Sequence, residues 1–60
     1  MTRSELIEII VPGTIIQWET ETPKFKHTGK TESLQKHYKL YNKAMLVSKY
    51  NYLKSRGYIN

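Results

Sequence analysis

The residues richest in chemistry in this chain are its lysines. Lys36, Lys39, Lys43 and Lys54, with Arg56 just beyond, recur through the second half of the sequence in company with Tyr50. Ammonium groups neutralise phosphates and release the counterions condensed on a nucleic acid, and a tyrosine beside them stacks on bases or hydrogen-bonds the backbone. The chemistry expected is polyanion binding. Charge is also unevenly placed. Residues 1–29 hold Arg3, Lys24 and Lys26 against Glu5, Glu8, Glu19 and Glu21, a net of −1. Residues 30–60 hold six Lys and Arg56 against Glu32, a net of +6, and the two halves sum to the formal +5. A partner is therefore expected on the C-terminal half, and it is either nucleic acid or an acidic protein surface. The bland alternative is a solvated Lys face in a chain generally rich in Lys, Asn, Ile and Tyr.

Other constellations are weaker. Gly29-Lys30-Thr31 matches only the end of a P-loop, because the first glycine of G-x-x-x-x-G-K-[ST] would fall on Lys24. What survives is a simpler expectation: a helix start near Lys30 and Thr31 that contacts a phosphate through free backbone N–H groups. Tyr50 and Lys54 have the Tyr-x-x-x-Lys spacing of short-chain dehydrogenases, but 60 residues leave no room for a dinucleotide-binding domain. His27 and His37 lack the further ligands a metal needs, and no cysteine is present, so no metal and no cofactor is expected. Glu19 and Glu21 would share one strand face, whereas a glycosidase pair works across a cleft. With no Asp and no Cys there is no credible triad. The expected protein is not an enzyme.

These side chains need elements to position them. Leu6 to Val11 is rich in β-branched residues, Pro12-Gly13 suits a type II turn, and Thr14 to Thr22 alternates, with Ile16 and Trp18 on one face and Gln17, Glu19 and Glu21 on the other. The pattern predicts two strands and a turn. A competing reading remains open: Thr2 with Glu5 fits a capping box, so residues 3–10 could form a short helix ended by Pro12. Pro23 to Gly29 reads as loop or edge strand, with Phe25 its inward anchor. Beyond it, residues 31–56 contain no Gly or Pro and predict one long amphipathic helix, closed by Gly57 in a Schellman-type end with Tyr58 and Ile59. Thr31 or Thr28 would cap its start, and Glu32 would face the helix dipole. At 100° per residue Leu34, Tyr38, Tyr41, Met45 and Tyr52 make an apolar stripe extended by Leu40, Ala44 and Val47, opposite the Lys ridge.

The expected fold is thus α+β: a small β-hairpin or three-stranded sheet packed against one long C-terminal helix in a single domain. Its inner face would be Ile7, Ile9, Ile16 and Trp18. If that face is only half covered, Trp18 becomes a binding hot spot. A stripe wider than the sheet can cover would favour a homodimer through the helix. No apolar run reaches membrane-spanning length, the N-terminus does not resemble a signal peptide, and the lack of cysteine fits a reducing interior, so a cytoplasmic location is expected. The function expected is a small basic nucleic-acid-binding accessory or regulatory protein. The alternative is an adaptor or inhibitor docking on an acidic surface of a larger enzyme.

Overall fold

In the computed structural model, which describes residues 1–22 and 30–60, the chain is helical: α1 is Arg3–Glu21, α2 is Lys30–Lys39 and α3 is Lys43–Ser55. The expected α+β architecture is overturned. Among the described residues there is no strand, and the residues read as a hairpin are one 19-residue helix. The competing reading of the N-terminus is right about the helix start at Thr2 and wrong about its end at Pro12. Glu5 N–H donates to Thr2 Oγ1 at 3.2 Å, and Thr2 N–H donates to Glu5 Oε1 at 2.9 Å, a complete capping box. That box does not stop at Pro12, however. Pro12 lies exposed inside α1, where it leaves the Glu8 carbonyl without its helical partner.

Gly13 explains why the helix accepts this dipeptide. Its backbone is not in the positive-φ region that a type II turn would require. It is buried instead, and a Cβ there would sit 2.5 Å from Ile59 Cγ2 and 3.1 Å from Leu53 Cδ1. The missing side chain is what allows the C-terminal tail and α3 to lie against α1.

Helix propensity alone disfavours a run such as Ile-Glu-Ile-Ile-Val, but only by tenths of a kcal/mol per residue. Burial is larger. Leu6, Ile7, Ile10, Val11, Gly13 and Thr14 are buried along one side of α1, and α1 packs on both α2 and α3. Each large apolar side chain so covered contributes about 2 kcal/mol, enough to override local preference.

The predicted single helix over 31–56 is also corrected, because residues 40–42 break it. The last turn of α2 tightens, with Leu40 N–H on His37 O and Tyr41 N–H on Tyr38 O. Asn42 then caps α3, accepting Met45 N–H on its side chain at 2.9 Å. The orphan carbonyls of α2 are taken from far away in sequence: the Arg3 guanidinium donates to Lys39 O and Tyr41 O, each at 2.7 Å. This break resets the helical phase. Leu34 and Tyr38 are buried as the stripe predicts, Tyr41 and Tyr52 are half-buried, but Leu40, Ala44, Met45 and Val47 are exposed. The buried positions of α3 are Leu46 and Leu53; on an unbroken helix Leu46 would lie about 120° away from Leu34. Of the expected inner face of the hairpin, Ile7 is buried, Ile9 and Trp18 are half-buried, and Ile16 is exposed.

The C-terminal end follows expectation. Gly57 has φ +79°, Tyr58 N–H bonds Leu53 O and Gly57 N–H bonds Lys54 O, the paired bonds of a Schellman motif. Glu32 lies in the first turn of α2. The expectations placed on Pro23 to Gly29, including Phe25 as an anchor, Thr28 as a cap and His27, lie outside the described residues.

One buried polar pair ties α1 to α2: Thr14 Oγ1 and Tyr38 Oη are 2.8 Å apart, and both residues are almost wholly covered. Burial pushes the Tyr38 phenol above its usual pKa. Thr14→Val or Tyr38→Phe alone strands one partner and should cost about 1–3 kcal/mol each; the double variant, which removes both groups, should cost clearly less than the sum. Urea denaturation of the four proteins measures the coupling, and strict additivity would mean that the bond is not made.

Candidate nucleic-acid interface

The break between α2 and α3 redistributes the lysine ridge. Lys36 and Lys39 are exposed on α2, while Lys43 and Lys54 are exposed on α3, separated by the turn at residues 40–42. Within α3 the expected alignment of Lys43, Tyr50 and Lys54 persists, and Val47, expected on the opposite stripe, falls in line with them at spacings of four, three and four residues. Tyr50 is half-buried and packs against the core, so it is less open than a free stacking platform. The Lys54 ammonium lies over its ring, 5.8 Å from the centroid. Beside this stripe runs the outermost line of the helix: Ala44, Ser48, Asn51 and Ser55, all exposed. Ser48 and Asn51 make no side-chain hydrogen bond among the described residues, so their donors and acceptors face solvent.

The remaining nominated residues serve elsewhere. Lys39 lines a shallow hollow with Ser4, Glu8 and Gln35 on the α1–α2 side. Arg56 belongs to a different cluster at the far end of α3, its guanidinium 5.5 Å from the Tyr52 ring centroid. Thr31 is exposed in the first turn of α2; the side chain of Lys30 lies outside the described residues. The Glu5 carboxyl is held below the ordinary value by the Thr2 backbone N–H, then by the Thr2 hydroxyl, with a smaller contribution from Lys43 at the start of α3.

The Tyr52–Arg56 end is organised around Glu21. Its Oε2 accepts from Tyr58 Oη at 2.8 Å and Tyr52 Oη at 3.1 Å, and its Oε1 accepts from Gln17 Nε2 at 3.3 Å. These bonds, that of Tyr58 foremost, lower the Glu21 pKa below 4.5 and raise that of the Tyr58 phenol. A carboxylate with a depressed folded pKa contributes stability that is fully present above its unfolded value and lost as pH falls through the folded one. The clamp between α1 and the tail should therefore hold at neutral pH and release as pH falls through the depressed Glu21 pKa. Tyr58 ring resonances followed by NMR during acid titration should move with Glu21, and Glu21→Gln should abolish that transition.

Sequence reasoning passed over Lys49. It sits between Leu46 and Leu53 on the inner side of α3, half-buried, its ammonium donating to Gln17 Oε1 at 2.7 Å and lying 5.4 Å from the Tyr52 centroid. Burial lowers its pKa, and Glu21 partly restores it. Even on an unbroken helix this lysine falls about 60° from Leu34, beside the apolar stripe and off the ridge of exposed lysines.

Among the described residues no group of three or more His, Asp or Glu side chains is placed to hold a metal. No described helix is long and apolar enough to cross a membrane. No family model, no curated protein and no solved structure matches this chain.

Proposed function

We propose that the protein binds nucleic acid, duplex DNA in particular, through the exposed face of α3, in a non-enzymatic accessory or regulatory role inside the cell. The observation that carries this reading is the composition and placement of that face. Ala44, Ser48, Asn51 and Ser55 are small or hydrogen-bonding residues that let a helix approach base edges closely, and Lys43 and Lys54 stand at either end. Eleven residues of helix separate the two lysines by roughly 16 Å, comparable to the ~12 Å major groove plus its flanking phosphates. The helix is presented by a helix, a short turn and a second helix, the arrangement in which the second helix reads the groove. Asn51 is the side chain chemically suited to a bidentate contact with adenine. A homodimer would set two such helices on half-sites about one DNA turn apart.

The test is direct titration of fluorescein-labelled duplex DNA, single-stranded DNA and RNA near 100 mM salt, read by anisotropy. Duplex binding with a dissociation constant around 10⁻⁴–10⁻⁶ M, or tighter, is expected. No binding of any of the three at about 100 μM protein, well within that range, would overturn the reading and leave an acidic protein surface as the partner.

A further inference from the structure

The three helices enclose an open cavity of about 430 Å³ on the side of the molecule served by Trp18, Tyr38 and Lys49. Its size lies within the range of small-molecule sites, roughly 300–1,000 Å³. Its walls are aromatic. Tyr38 and Tyr41 meet edge to face at 5.0 Å between centroids, His37 packs against Tyr41 at 5.1 Å, and Trp18 and Leu34 complete the apolar lining. The polar groups are the Lys49 ammonium, the His37 imidazole, the Tyr38 and Tyr41 phenols and the Thr14 and Ser33 hydroxyls, of which only Lys49 and His37 can carry positive charge. Lys49 brings an ammonium to the rim, held in place by Gln17 Oε1 at 2.7 Å, and His37 Nε2 lies 3.2 Å from Tyr41 Oη. No Asp or Glu lines the cavity among the described residues.

We infer that this cavity is a binding site for a small planar aromatic anion, its ring held among Trp18, Tyr38 and Tyr41 and its negative group on the Lys49 ammonium. Stacked and edge-on rings favour a flat unsaturated ligand over an aliphatic one. The half-buried Lys49 ammonium donates to the neutral Gln17 amide and feels the Glu21 carboxylate only through space, so an anion in direct contact offers it a stronger partner than that amide, while a cation would be repelled. The inference is independent of the nucleic-acid reading, because neither Lys43 nor Lys54 lines this cavity.

The test uses 2-naphthoate as the probe, with 2-naphthamide and 2-naphthylmethylammonium as neutral and cationic controls. Binding is followed by amide and indole N–H chemical shifts of the whole protein. Trp18 is the only tryptophan, so its indole N–H reports this cavity alone. Saturable shifts at Trp18, His37 and Lys49 are expected, with a dissociation constant at or below about 1 mM, the range reached by ligands of this size. Both controls should bind at least about tenfold more weakly, and Lys49→Gln should lose a similar factor while Lys49→Arg retains affinity. A lack of saturable shift with 2-naphthoate, or equal affinity for all three probes, would overturn the proposal even if the Lys49 variants failed to fold. With folded variants, unchanged affinity in Lys49→Gln would overturn it as well.

Discussion

Ser48→Pro should unfold this protein, whereas Lys43→Pro should leave it folded. Ser48 lies well inside α3, where proline removes an N–H needed by the Ala44 carbonyl and its ring collides with that carbonyl. The cost is about 3 kcal/mol or more, a large share of the stability of a domain this small. Lys43 is the first residue of α3, whose N–H has no intrahelical acceptor, and Asn42 before it is already extended at φ −77° and ψ 170°. Proline prefers this position and this kind of predecessor. The expected change is within about 1 kcal/mol. Far-UV circular dichroism and thermal melts separate the cases. Equal unfolding of both variants would mean that the helix runs unbroken through residues 40–42, and the phase of every residue assigned to the α3 face would then be wrong.

Lys43→Glu/Lys54→Glu should abolish nucleic-acid binding, with a loss on the order of 100-fold or more, while Lys36→Glu/Lys39→Glu should cost at most about tenfold. The asymmetry follows from the turn: only the first pair flanks the outward face of α3, whereas Lys36 and Lys39 lie on α2. Two phosphate contacts predict that log K falls against log salt with a slope about 2 steeper in the wild type than in the Lys43/Lys54 variant. All four positions are exposed, so melting temperatures should barely change. Equal losses from the two pairs would point to diffuse attraction by the basic half rather than to a face of α3. Asn51→Ala adds a separate readout. It should reduce the preference among duplex sequences while leaving the salt slope unchanged, since an amide contacts base edges and carries no charge.

Parts of this structure are legible residue by residue because they depend on local chemistry. The Thr2–Glu5 box is complete within four residues, and the Gly57 end needs only a glycine after a helix that closes on Leu53 and Lys54. Tyr38 and Leu34 are buried as their spacing on α2 implies. The charge asymmetry, with its excess of lysine in residues 30–60, needs no structure at all. Asn42, which caps α3, went unread. It carries no glutamate three residues on, so it lacked the second half of the pattern that made Thr2 conspicuous.

The helix end at Gly57, the charge and its side, and the absence of any cysteine are plain without a structure, whereas the Thr2–Glu5 box marked a helix start that the expected hairpin set aside. Tertiary structure decided the rest. Leu6 to Thr20 has β-branched content and a Pro-Gly pair that locally favour strand and turn, yet it is one helix because α1 is the element on which both α2 and α3 bury their apolar faces. Local preference there is worth tenths of a kcal/mol per residue, and burial is worth kilocalories. The end of α2 was equally invisible, since no glycine or proline marks it. Its carbonyls are satisfied by Arg3, 36 and 38 residues away along the chain. A helix stop supplied by a distant guanidinium leaves no local trace, and the three-residue turn it secures is what puts Leu46 and Leu53 inside and Lys43, Ser48, Asn51 and Lys54 outside.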